Sequence, residues 1–122
     1  MIYLIKGCRV YAPDYIGIKD VLIAGSKIEG IYENINVQDM PINIKVVDGK
    51  GKLMFPGFID SHVHINGGGG EGGYHTRTPE IQLSSLIENG ITSVVGCIGT
   101  DGICRNMRSL IAKVKALKEE GI

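Results

Sequence analysis

Two apolar, β-forming runs dominate the second half of the chain, 58–64 (Phe-Ile-Asp-Ser-His-Val-His) and 91–98 (Ile-Thr-Ser-Val-Val-Gly-Cys-Ile), and a helical pattern follows each. Strands that alternate with helices form a parallel sheet, because parallel neighbours need a crossover connection. A parallel pair alone leaves an open edge and an uncovered apolar face. A (β/α) barrel satisfies both with eight units spread over about 250 residues. This chain has 122 residues and reaches Ile122 where a third strand is due. The expectation is an α/β chain holding the first two βα units of a TIM-like barrel, with the barrel incomplete.

The helices carry their own signals. Thr78 is a predicted N-cap, Pro79 suits the first helical position and Glu80 suits the positive end of the dipole. Ile81, Leu83, Leu86 and Ile87 form the apolar face, and Asn89-Gly90 is a stop signal. A second helix is predicted from about Arg105 to Glu120, with Leu110, Val114 and Leu117 on one face.

Upstream the pattern is strand and turn. Residues 3–11 read as a strand, Ala12-Pro13-Asp14 as a turn, 20–32 as a hairpin about 25–27, and 45–48 as a short strand. This predicts a small N-terminal β-sandwich unit over 1–52, followed by the barrel portion over 53–122.

Thirteen basic residues balance thirteen acidic ones, so no basic surface points to nucleic acid or to a membrane. The apolar start, residues 1–5, is too short for a signal sequence or a span. Cys8, Cys97 and Cys104 are odd in number and lack C-x-x-C spacing, which fits reduced thiols in a cytoplasmic protein.

His62 and His64 are two apart, so on a strand they share a face and can reach one ion. Imidazole nitrogen is a preferred zinc ligand. The pair also ends the first barrel strand, where barrel active sites are built. The alternative is two half-buried strand histidines. Asp60 either orients a ligand histidine or closes the strand end. The run Gly67-Gly68-Gly69-Gly70-Glu71-Gly72-Gly73 follows at once. Its spacing is not that of a dinucleotide fingerprint. It is either a flexible connection or a loop whose bare backbone approaches a ligand; Glu71 in its middle favours the second, since a carboxylate there can meet an ammonium group. His75 is read as a solvent-facing loop residue.

The segment Pro56-Gly57-Phe58-Ile59-Asp60-Ser61-His62-Val63-His64 resembles the P-G-x-x-D-x-H-x-H signature of the amidohydrolase superfamily of metal-dependent hydrolases. Gly67–Glu71, then Thr76-Arg77-Thr78-Pro79-Glu80, Thr92–Gly96 and Gly99-Thr100-Asp101 are similar to the bacterial isoaspartyl (β-aspartyl) dipeptidases, and the likeness runs to Ile122. That resemblance implies that His62 and His64 bind the more buried of two zinc ions. It implies that Gly69, Gly70, Glu71 and Thr100 bind the aspartyl end of a dipeptide, with Glu71 at the α-ammonium, and the glycine backbone and Thr100 hydroxyl at the α-carboxylate. Thr100 alternatively does no more than close a strand end. The implied reaction is hydrolysis of the side-chain amide by metal-activated water, releasing L-aspartate. The bridging carbamylated lysine, the histidines of the second metal and the proton-shuttling aspartate would lie downstream. No catalytic residue is therefore expected here, the 122 residues alone are expected to be inactive, and the whole enzyme is expected to be a cytoplasmic homo-oligomer. The rival readings are a dihydroorotase-like or hydantoinase-like cyclic amidase, against which the Gly-Gly-Gly-Gly-Glu loop speaks, and a non-catalytic truncated product.

Overall fold

Strand β1 (Ile2–Tyr11) runs through the middle of a five-stranded mixed sheet. The computed structural model describes residues 1–38 and 41–122. β2 (Tyr15–Ala24) pairs antiparallel with β1, and β3 (Lys27–Tyr32) closes the expected hairpin against β2. β4 (Ile44–Asp48) lies parallel on the other side of β1, and β5 (Leu53–Met54) extends that side, with Leu53 opposite Arg9 and Met54 opposite Val10. Cys8, Val10 and Val21 are buried in its core, with Ile5, Ile23 and Met54 packed against them. The chain divides between Pro56 and Gly57. This falls later than the predicted Leu53, because Leu53 and Met54 complete the ladder of β1.

One buried carboxylate organises this sheet. The β1–β2 register slips between Ile5 and Cys8, and the slip frees backbone donors. Asp20 is 3% exposed and accepts from Gly7 N and Ile35 N at 2.9 Å each, while Lys6 Nζ stands 3.3 Å away. Burial pushes the Asp20 carboxyl upward, but the Ile35 and Gly7 amides and the Lys6 ammonium outweigh it and hold it below its ordinary value.

In the second unit β6 (Phe58–Val63) and β7 (Ile91–Gly96) pair in parallel, as the alternation predicts. Helix α2 (Met107–Glu120) has a capping box: the Asn106 side chain accepts from Ser109 N at 3.1 Å, and Ser109 Oγ accepts from Asn106 N at 3.1 Å. Gly121 ends it in the left-handed conformation, φ 112°. Ile65, Leu86, Leu110 and Leu117 form the buried core. Val114, expected on the same face, is exposed.

The first helix departs from expectation. α1 is only Leu83–Ile87, preceded by a single 3-10 turn at Tyr74–Thr76. Thr78 caps nothing. Its hydroxyl accepts from Gly68 N at 2.9 Å and lies 3.1 Å from the Gly68 carbonyl, which ties residues 77–80 to the glycine loop. Tertiary bonding has overridden a local start signal. The strands also differ from the buried runs expected: Val63, Ile91 and Val94 pack on the core, while Phe58, Ile59 and Val95 are exposed. Among the described residues, no helix is long and apolar enough to cross a membrane.

Asp20 generates a pH prediction. Its folded pKa lies below the unfolded value of about 3.9, so its stabilisation is present above that value and is lost as pH falls through the folded one. Asp20→Asn should lower the melting temperature at neutral pH and flatten its decline in acid. Thermal unfolding from about pH 7 to about pH 3 reads this. An acid limb as steep in the variant as in the parent would assign the titration to another group.

Candidate functional site

The site grows from the end of β6. Asp60 Oδ1 accepts the backbone N–H of His62 at 3.1 Å, inside a register break between Asp60 and Val63. That side-chain bond replaces a ladder bond and bulges the strand. Asp60 thus acts on the backbone that carries the histidines. The His62 and His64 rings meet edge to face, with centroids 5.2 Å apart, and both residues are exposed. His64 Nδ1 lies 3.4 Å from the Cys97 carbonyl; with its proton on Nδ1, the ring leaves the Nε2 lone pair free to ligate. Two imidazoles arranged this way suit a borderline-soft divalent ion. A catalytic zinc takes three protein ligands, and these two histidines could supply two of them. Among the described residues, no group of three or more His, Cys, Asp or Glu side chains converges on one point.

The glycine loop turns back against the same ring. A Cβ on Gly68 would stand 3.5 Å from the Cβ of His64, and one on Gly99 would stand 3.6 Å from His64 Nδ1. The loop and the segment after β7 are therefore pressed together beside His64, and the absence of a side chain at Gly99 allows it. The contact brings Glu71 to Thr100. The Thr100 hydroxyl donates to Glu71 Oε1 at 2.5 Å, with the Gly69 carbonyl as its other acceptor at 3.1 Å. The Thr100 hydrogen bond first, then the backbone amide of Glu71 and the nearby His64, hold the Glu71 carboxyl below its ordinary value. Glu71 is thus an exposed anion at neutral pH, beside the Thr100 hydroxyl and near the His64 imidazole. Gly70 and Thr100, with Tyr74, Arg77, Asp101 and Ile103, line a cavity of about 280 Å³ that His62 and His64 do not border.

The residues expected at the site thus stand together, with Gly69 and Gly70 supplying backbone, while His75 sits exposed in the 3-10 turn. Sequence reasoning missed the residues beneath it. Arg105, 9% exposed, donates from Nε to the Asn66 carbonyl at 2.7 Å, from Nη1 to the Gly68 carbonyl at 3.1 Å and to Asp101 Oδ2 at 3.2 Å, and from Nη2 to the Thr78 carbonyl. Arg77 Nε reaches the same Asp101 oxygen at 2.5 Å. Asp101 Oδ1 accepts from Ile103 N and Cys104 N at 3.1 Å each. The Cys104 amide foremost, with the Ile103 amide and Arg77, holds the Asp101 carboxyl below its ordinary value against the pull of desolvation. The only sequence signal was a basic residue at the predicted start of a helix, where the dipole disfavours one.

The chain has relatives of known structure and activity. Residues 45–100 match the Amidohydrolase family. The structure superposes on a beta-aspartyl dipeptidase from Fervidobacterium islandicum AW-1, solved with the beta-Asp-Leu dipeptide, at TM-score 0.89 and 49% identity; the match covers 100% of this chain and 32% of that one. A dihydropyrimidinase from Brevibacillus agri matches at TM-score 0.65 and 28% identity over 95% of this chain and 24% of that one. A dihydroorotase from Bacillus thuringiensis is 33% identical over 119 residues, 94% of this chain and 26% of its own length. The chain thus spans between about a quarter and a third of these relatives.

Gly99 supplies the prediction. A Cβ there would lie 2.8 Å from the Gly68 Cα and 3.0 Å from the Gly67 carbonyl, both backbone atoms that cannot swing aside. Gly99→Ala should cost about 1–3 kcal/mol in thermal unfolding, as overpacking does, and should separate Thr100 from Glu71. An unchanged melting temperature would mean that the two segments part without cost.

Proposed function

We propose, from the match of residues 45–100 to the Amidohydrolase family and the 49% identity to a beta-aspartyl dipeptidase, that the protein this chain contributes to is a zinc-dependent β-aspartyl dipeptidase, and that this segment holds the aspartyl end of the substrate. The observation that carries the reading is the 2.5 Å contact of Thr100 with Glu71, placed beside His64 on a loop of bare backbone. In this reading the substrate replaces the Thr100–Glu71 hydrogen bond: Glu71 pairs with the α-ammonium, and the Thr100 hydroxyl, released from Glu71, donates to the α-carboxylate. The free N–H groups at Gly69 and Gly70 add further donors. Of the two aspartyl linkages, only the isoaspartyl one leaves the ammonium and the carboxylate of the aspartyl residue free on the same carbon.

His62 and His64 are the residues of this chain that would hold a zinc ion, and their neutral imidazoles suit it. Zinc bound there would lower the pKa of its water and polarise the scissile carbonyl. The part played by the chain itself is orientation. A clamp at the aspartyl end places the side-chain amide relative to the histidines and removes the rotational freedom of the substrate. The other ligands and the proton shuttle belong to the downstream barrel in this reading, and the whole enzyme is a cytoplasmic homo-oligomer. The likeness to dihydroorotases, at lower identity, makes cyclic amides the natural control.

The test is turnover by the whole protein. β-Asp-Leu should release aspartate, while α-Asp-Leu and dihydroorotate should remain intact. Equal turnover of the two dipeptides, or cleavage of dihydroorotate alone, would defeat the proposal. Glu71→Gln should lower kcat/KM by roughly ten- to a hundredfold, the range for one lost charge-assisted contact, with metal content unchanged. Loss of metal along with activity would make Glu71 a ligand or a scaffold residue instead.

A further inference from the structure

Glu71 and Thr100 meet across two segments that have few side chains of their own to hold them. The glycine loop cannot fix its shape by packing. What fixes it is the Arg105 guanidinium beneath, which binds the carbonyls of Asn66, Gly68 and Thr78 and the Asp101 carboxylate together. Asp101 directly follows Thr100, and its other oxygen takes the amides of Ile103 and Cys104. One carboxylate thus anchors the Thr100 segment to the same guanidinium that anchors the Glu71 loop. Arg77, a few residues after Glu71 on that loop, grips Asp101 from the other side.

A buried ion pair is poor evidence for stability, because apolar side chains of similar size often stabilise as much or more. Its distinctive property is directional: a planar fork with fixed donor geometry. We propose that Asp101, held between Arg105 and Arg77, is a positioning residue for the aspartyl end of the substrate. It acts through Thr100 and keeps that hydroxyl beside Glu71, so that the two can meet the α-carboxylate and α-ammonium carried on one carbon. This rests on the β-aspartyl dipeptidase reading above.

The test uses the whole enzyme with β-Asp-Leu. Asp101→Asn keeps the shape and an acceptor for the amides but removes the charge the arginines grip. It should raise KM about tenfold and leave kcat within about twofold, with metal content unchanged, the pattern of lost ground-state and transition-state binding alike. Arg77→Gln, at a half-exposed side chain that does not threaten folding, should raise KM in the same sense by about threefold. Since both act through one carboxylate, the double variant should be no worse than Asp101→Asn alone. A parent enzyme that leaves β-Asp-Leu intact defeats the functional reading and this proposal with it. A parent that cleaves it, with variants that lose kcat or metal at constant KM, leaves the function standing and makes Asp101 a scaffold residue. Additive effects of the two substitutions overturn the shared route. If Asp101→Asn does not fold, an unchanged KM in Arg77→Gln overturns the proposal by itself.

Discussion

The second unit depends on one buried guanidinium. Arg105 collects three backbone carbonyls and a carboxylate in a space where each would otherwise be short of a donor. Unpaired buried polar groups are costly, and a buried charge more so. The fork meets both demands at once: the carbonyls and Asp101 satisfy the cation, and the cation satisfies them. Lysine, with a compact point charge, has no such geometry. The loop conformation, the extended path of residues 77–80 and the turn after β7 all follow from that arrangement. So does the absence of a helix at Thr78, whose carbonyl and hydroxyl are both occupied elsewhere.

The first unit solves a similar problem with opposite polarity. There a bulge in β1 frees an amide, and the Asp20 carboxylate collects it together with Ile35 N and the Lys6 ammonium. In both units a single ionised side chain satisfies backbone where regular pairing fails. Apolar packing, with Cys8, Val10 and Val21 in one core and Ile65, Leu86, Leu110 and Leu117 in the other, supplies cohesion without direction. The charges supply the direction.

This division explains what was legible in the sequence. The strands, the hairpin and α2 were readable because periodicity, turn residues and the Gly121 stop are local signals. His62 and His64 were singled out by their spacing, and Glu71 and Thr100 by the resemblance; the structure brings Glu71 and Thr100 into contact. The start of α1 was misread because Thr78-Pro79-Glu80 is a sound local signal that a contact ten residues upstream overrides. The bulge at Asp60 was invisible, since its cause is the carboxylate bonding two residues ahead. Arg105 was invisible for a stronger reason. Its partners, Asn66, Gly68 and Thr78, present carbonyl oxygens, and a carbonyl carries no mark in the sequence. The exposure of Phe58 and Ile59 was misjudged because periodicity reports which residues are apolar and says nothing of what covers them.

The same arrangement bears on how recognition and chemistry are divided along the chain. On the proposed reading, the groups meeting the aspartyl end lie within about thirty residues, from Gly69 to Thr100, and one guanidinium fixes both segments. On the same reading the metal, by contrast, would take two ligands from this chain, and a catalytic zinc takes three. Recognition is therefore local and metal binding distributed. A local clamp can be rigid before any ligand arrives, because its spacing is set by buried bonds rather than by closure around the substrate. Preorganisation of this kind lowers the ordering cost of binding. The histidines are exposed, with His64 3.4 Å from the Cys97 carbonyl, and on the same reading they keep freedom to adjust to a metal. On this reading, stiffness sits where the substrate would be measured, and latitude sits where the metal would bind.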